Sequence, residues 1–188
     1  MVLTGSGTKA EDLVQEAEER ARFEGALLPH LGAAHNLARW LTRDDQDAQD
    51  IVQEAFLRAW KSFAGFHGGD GRTWLLAIVR NTCYTLLEKK RTRGPQVEFD
   101  EHFHAVAAGD RNPERLLVRQ ENQQTVRNAL ETLPVELREV VVLRELEGLS
   151  YKEIAALAEI PMGTVMSRLA RARDRLQQCL RGSAGQES

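Results

Sequence analysis

Arginine crowds one stretch of this chain. Between Pro161 and Arg181 stand Arg168, Arg171, Arg173, Arg175 and Arg181 against one acid, Asp174. Guanidinium groups at that density can hold phosphates and reach base edges. Projected at about 100° per residue, Val165, Leu169, Ala172, Leu176 and Leu180 make an apolar stripe. Ser167, Ala170, Arg171 and Asp174 lie opposite, with Met166, Arg168 and Arg175 on the flanks. Upstream, Ser150 and Glu153 have the spacing of a capping box that starts a helix. Gly148 can end the helix before it, and Ile154 and Leu157 give a short buried stripe. The run Glu159–Gly163 breaks that helix, and Pro161 suits the first turn of a new one. A short helix, a tight turn and a basic helix form a helix-turn-helix, whose second helix fits the major groove. The plainer alternative is a helical hairpin with a solvated arginine face.

A second basic constellation spans Arg72–Arg93, where six lysines and arginines oppose Glu88 alone. Leu75, Ile78, Val79, Thr82 and Leu86 are expected to point inward. Arg80, Asn81, Tyr84 and Glu88 are expected to point outward, with Trp74 on the flank. An amide, an aromatic ring and arginines on one face suit single-stranded nucleic acid, where bases stack while cations follow the backbone. A solvated helix whose basic end complements its dipole fits as well. The glycine-rich loop Ala64–Gly71 lacks the pattern of a phosphate loop. It either turns the chain or closes around a planar group such as an extruded base.

Acids cluster elsewhere. The helix expected over Gln46–Phe63 has Val52, Ala55, Phe56, Ala59, Trp60 and Phe63 inside. Asp47, Asp50, Glu54, Leu57, Arg58 and Lys61 lie outside, with Gln53 and Ile51 on the flanks. Asp44–Glu54 holds five acids and no base. Acids in a first turn favour the helix dipole. Beside Leu57 and Ile51 they would also make a mixed apolar and acidic face suited to a basic helical partner.

The elements that must position these faces are helical throughout. Phe23–Arg43 carries Phe23, Leu27, Leu28, Leu31, Ala34, Leu37, Ala38 and Leu41 at core spacing, and Pro29 can split it into two helices. A helix over Glu114–Thr132, anchored by Leu116, Leu117, Val126, Ala129 and Leu130, ends at Leu133-Pro134. Another over Val135–Glu145 buries Leu137, Val140, Val141 and Leu143. Gly94–Pro113 has no helical stripe and reads as an acidic, extended linker. The expected organisation is an extension over 1–22, one helical domain over 23–93, the linker 94–113, a helix-turn-helix domain over 114–182 and a tail over 183–188. Met1–Thr8 is expected to be disordered or an expression remnant, with a polar helix over Glu11–Arg22.

Composition narrows the function. Net charge is −3, so the whole molecule is no general polyanion binder; its charge is segregated instead. Cys83 and Cys179 stand alone, which gives no CxxC motif or disulfide framework, suits a reducing cytosol and fits two small buried hydrophobes. No apolar run can span a membrane and no signal-peptide pattern opens the chain. His30 and His35 lack the i,i+3 or i,i+4 spacing of a helix-borne metal pair, and His102 and His104 have no cysteine or third histidine nearby. No metal site, cofactor motif, phosphoryl-transfer motif or nucleophile–base constellation stands out, so a non-catalytic protein is expected.

Three segments together, DAQDIVQEAFLRAWKSF, RTWLLAIVRNTCYTLLEKKR and TLPVELREVVVLRELEGLSYKEIAALAEIPMGTVMSRLARARDRL, resemble an extracytoplasmic-function sigma factor of bacterial RNA polymerase. The resemblance covers roughly residues 20–181. It implies an all-α chain of a region 2-like bundle and a region 4-like helix-turn-helix domain, with no region 1.1 or region 3 domain between. It implies docking of Asp47, Asp50, Gln53, Glu54 and Leu57 on the β′ clamp helices of core RNA polymerase, with the β flap as a further contact. Phe66, His67, Trp74, Arg80, Asn81 and Tyr84 would meet the melted −10 element of promoter DNA. Ser167, Ala170 and Arg171 would read the −35 element, with Arg144, Thr164 and Arg168 as backbone or supporting contacts. Met166 stands where a basic residue is common, and Leu76 where an aromatic is often found. The linker would thread the polymerase cleft. The resemblance also implies a cytoplasmic bacterial protein, controlled by an anti-sigma factor and touching membranes only through a partner. A stand-alone helix-turn-helix regulator and a decoy for an anti-sigma factor are the alternatives.

Overall fold

Every regular element among the described residues, 7–93 and 124–184 of this computed structural model, is helical. The chain begins with α1 (Gly7–Leu27), a 3-10 turn (Leu28–His30) and α2 (Leu31–Thr42). The proline of that turn sits at its start, where a missing N–H costs nothing. Next come α3 (Asp45–Ser62), a 3-10 turn (Phe63–Gly65) and α4 (Gly71–Arg93). The second half holds α5 (124–131), α6 (Val135–Val141), a π-helical turn (Val142–Leu146), α7 (Tyr151–Ala158) and α8 (Met162–Ala184).

The first half packs α2, α3 and α4 against one another, with the end of α1 across them. Leu27, Leu37, Leu41, Leu75, Leu76 and Val79 are fully buried there, each contributing about 1.5–3 kcal/mol of transfer free energy. Asp44 starts α3 by accepting from the Asp47 N–H at 2.7 Å. Asp70 starts α4 by accepting from the Arg72 N–H at 3.0 Å, and the Thr73 hydroxyl holds its carboxyl below the usual range. Gly71 is required at that start: a Cβ there would stand 2.7 Å from the Ala26 carbonyl oxygen. In the second half Leu133, Val140, Leu143, Ile154, Val165 and Leu169 are buried.

Several expectations need correction. Leu28 and Leu31 are exposed, because the 3-10 turn rotates them off the stripe that Ala34, Leu37 and Leu41 continue. Trp60 is also exposed, at 39%, its ring meeting Phe23 edge-on at 5.0 Å rather than entering the core. Val126 and Leu180 face solvent, as does Cys179; only Cys83 is a buried thiol, and burial pushes it up to about 12. Gly7 and Thr8 already belong to α1. The linker 94–113 with His102 and His104, the anchors Leu116 and Leu117, residues 1–6 and most of the tail lie outside the described residues.

The two halves are in contact through α2 on α6 and α4 on α7. Polar groups carry much of this contact. Asn36 Nδ2 and Arg72 Nη2 both donate to the Glu147 carboxylate, each at 2.6 Å. Arg138, buried, donates to the carbonyls of Leu41 at 3.4 Å and Glu131 at 3.3 Å. Arg43 also donates to the Glu131 carbonyl.

Candidate nucleic-acid interface

The helix-turn-helix is assembled from its caps inward. Ser150 Oγ accepts from the Glu153 N–H at 3.2 Å, and Glu153 Oε2 accepts from the Ser150 N–H at 2.7 Å. These bonds favour the ionised carboxylate and hold Glu153 below its ordinary value. The helix stops at Glu159, which takes the left-handed conformation, φ 55°. The Ile160 N–H then reaches the Ala155 carbonyl at 3.0 Å and the Glu159 N–H reaches Ala156 at 3.4 Å, which is a Schellman closure. Upstream, Gly148 at φ 68° makes the turn out of the π-helical segment.

Along α8, Val165, Leu169 and Ala172 are buried, which sets the opposite face outward. Ser167, Ala170 and Arg171 are exposed on it together, as expected. The Ser167 hydroxyl donates to the Thr164 carbonyl at 3.0 Å, and Arg171 Nε donates to the Ser167 carbonyl at 3.3 Å. Met162 and Met166, 51% and 47% exposed, extend this face as a row with Ala170. Thr164 is half-buried beside them. Arg144 braces the motif: its Nη1 donates to the Leu149 carbonyl at 2.9 Å, and its guanidinium lies 5.0 Å from the Tyr151 ring centre. Arg168 points elsewhere, toward Glu139 at 3.8 Å.

On α4, Asn81 is exposed. Arg80 and Tyr84, expected to face solvent, are half-buried against the second half. Arg80 pairs with the fully buried Glu139 carboxylate, and the Tyr84 hydroxyl donates to the same carboxylate at 2.9 Å. Burial, with Glu139 adding, pushes the Tyr84 phenol up. The Arg80 guanidinium sits 4.6 Å from the Tyr84 ring centre, and its Nη1 donates to Asn81 Oδ1 at 3.1 Å. In the preceding loop, Phe66 stacks on Phe63 at 5.6 Å and leans on Trp74 at 4.8 Å, so its ring seals the loop against the core. His67 is exposed, with Nδ1 2.6 Å from the Gly65 carbonyl oxygen. Gly68 and Gly69 have positive φ, at 86° and 122°.

A separate acidic face lies on α3. Asp50, Gln53, Glu54 and Leu57 are exposed side by side. Arg58 holds Glu54 in place at 2.8 Å and lowers its pKa. Asp47 is half-buried and pairs with Lys90 on α4. Ile51 is buried and contributes nothing to the face, which takes its apolar part from Leu57 and Trp60.

The residues that sequence reading missed are Arg138, Glu139 and Glu147, all buried at the meeting of the halves. One signal was present: Arg138-Glu139 interrupts an otherwise apolar run from Leu137 to Leu143. Such a pair inside a core stripe calls for partners from another element.

Two family models match the chain: Sigma-70 region 2 over residues 27–93 and Sigma-70, region 4 over residues 123–176. The RNA polymerase sigma-H factor of Pseudomonas aeruginosa is 37% identical over 175 residues, covering 89% of this chain and 90% of that protein. The ECF RNA polymerase sigma-E factor of Escherichia coli is 40% identical over 149 residues, covering 74% of this chain and 78% of that protein. Among solved structures, the sigma factor RpoE of Bartonella quintana, crystallised with the anti-sigma factor NepR, superposes with a TM-score of 0.70. It is 30% identical and covers 85% of this chain and 97% of that one.

Proposed function

Because the chain belongs to the extracytoplasmic-function sigma factors of the sigma-70 family, which direct promoter-specific initiation and are not themselves enzymes, we propose that it recognises promoters at two points from the surface of core RNA polymerase. The observation that carries this reading is the row of exposed side chains on α8, with Ser167, Ala170 and Arg171 held on one face of a helix-turn-helix whose first helix is capped at both ends. Arg171 takes a guanine edge of the −35 duplex, since its fork suits a bidentate contact. Met162, Met166 and Ala170 offer an apolar strip, with Met166 standing where a basic residue is common, and such a strip suits thymine methyl groups. Asn81, with Arg80 and Tyr84 once released, meets the unpaired −10 strand, while Phe66 and Trp74 form the wall behind the loop. Asp50, Gln53, Glu54 and Leu57 dock on the β′ clamp helices, with Asp47 held by Lys90 as their support.

The Bartonella relative's complex supports an anti-sigma factor as a further partner. No described helix is long and apolar enough to cross a membrane, and a polymerase subunit works in the cytoplasm. The residue ranges 23–93 and 114–182 are the proposed working units, and the chain itself performs no catalytic step. Run-off transcription with core polymerase and a pooled promoter library tests the reading. Initiation that depends on the chain, with both elements enriched, is the expected outcome. A chain that shifts duplex DNA but never supports initiation would instead be a stand-alone regulator.

A further inference from the structure

Three side chains expected to touch DNA, Arg80 and Tyr84 from the first half and Arg168 from the second, converge on one carboxylate. Glu139 lies on α6 with no exposed surface. Arg80 and Tyr84 reach it from α4, the tyrosine at 2.9 Å, and Arg168 approaches from α8 at 3.8 Å. Arg80 also ties down the Asn81 side-chain oxygen at 3.1 Å. Glu139 therefore receives from these residues the charge and hydrogen bonds that a phosphodiester oxygen would take.

A carboxylate is an unusual choice for this position. An apolar residue would join the halves by burial alone and would resist exposure to water. A carboxylate is satisfied in either state: by Arg80 and Tyr84 beside Arg168 when the halves meet, and by Arg168 and water when they part. Glu147 has the same character, held by Asn36 and Arg72 at 2.6 Å across the same boundary. These polar groups lie beside an apolar contact that both halves share, and they are the part of the boundary that water can satisfy on separation.

We infer that Glu139 is an internal stand-in for nucleic-acid phosphate, occupying Arg80 and Tyr84 in the closed chain so that DNA and closure compete for the same donors. This rests on the proposed DNA-binding faces and adds that the free chain itself occupies two of their donors. Its affinity for DNA is then reduced by the fraction of molecules that are open. The competition needs no second protein.

The test uses the full chain carrying Glu139→Gln, with Glu136→Gln as a control that removes the same charge from the exposed side of the same helix. Small-angle scattering reads the separation of the halves, and circular dichroism checks that the helices remain. Fluorescence anisotropy with a labelled oligothymidine strand reads DNA affinity. Glu139→Gln should enlarge the radius of gyration and tighten binding by about tenfold, while Glu136→Gln does neither. Equal gains in both variants, or an expanded chain with unchanged affinity, overturn the proposal. If Glu139→Gln does not fold, the unmodified chain decides. Saturation with the oligonucleotide should expand it, and a bound chain as compact as the free one overturns the inference. Run-off initiation by the unmodified chain stays a separate readout, so a failed latch and a failed sigma assignment are distinguishable.

Discussion

At the scale of single residues, charge and shape assign different tasks to arginines that look alike in sequence. Arg171 is exposed on the outer face of α8, whereas Arg168, three positions earlier, turns to a buried carboxylate. Arg171→Ala should weaken −35 duplex binding by about 1–3 kcal/mol if the contact is bidentate; an unchanged affinity in a titration against the cognate duplex removes that assignment. The methionine row makes a separate claim. Replacing thymine by uracil in the −35 duplex deletes only methyl groups, so it should weaken binding by the unmodified chain but not by Met166→Ala at the positions Met166 covers. Equal losses in both chains would show that the strip reads nothing. Ser150 and Glu153 govern whether α7 forms, and Ser150→Ala should cost about 1 kcal/mol in chemical denaturation. Since Glu153 has a lowered pKa in the fold, its contribution is present above the unfolded carboxylate value and is lost as pH falls through the folded one. Stability curves of Glu153→Ala and the unmodified chain should therefore differ at neutral pH and converge in acid.

At the scale of elements, the helix-turn-helix was legible because its signals are local. Capping box, breaker and apolar stripe all act within a few residues, and the structure has each of them. Periodicity also found the inner faces of α2 and α4, but it failed where an element ends or meets another. Leu28 and Leu31 continue a helical spacing that the 3-10 turn interrupts. Arg80 and Tyr84 lie on the side of α4 that periodicity marks as outer, and only a distant part of the chain covers it. Nothing in a 3.6-residue period distinguishes a face that meets water from a face that meets another helix through charged groups. The acidic face of α3 is legible in the same local way, and its use can be tested as a unit. Asp50→Arg with Glu54→Arg reverses the charge of an exposed face while leaving Ala48, Ile51, Val52 and Ala55 buried beneath it. The helical signal should be kept and co-purification with core polymerase lost. A double variant that still binds polymerase would move the docking surface off α3.

At the scale of the whole molecule, sequence supplied two helical units and an acidic tether but not their relation, because the groups that join them are far apart in the chain. Asn36 and Glu147 are separated by 111 positions, and Arg138 reaches Leu41 across 97. The joint includes a buried arginine whose pKa is drawn down to about 10 by burial. Its removal should matter in a particular way. Arg138→Ala leaves the Leu41 and Glu131 carbonyls without this donor, at a cost of about 1–3 kcal/mol. The Leu41 part of that cost falls on the coupling between halves, while the Glu131 carbonyl, within the second half, keeps Arg43 as a donor. The chain carries its own reporter for this, because all three tryptophans, Trp40, Trp60 and Trp74, lie in the first half. Tryptophan fluorescence therefore follows the first half, while far-ultraviolet circular dichroism follows helices in both. In the unmodified chain the two denaturation curves should coincide, as a cooperative unit requires. In Arg138→Ala they should separate, with the helix signal falling over a wider range than the fluorescence. Curves already separate in the unmodified chain would mean that the halves unfold independently and that their polar joint transmits no stability. Coincident curves in both chains would place the coupling elsewhere, with the Glu147 carboxylate that Asn36 and Arg72 share as the next polar contact to remove.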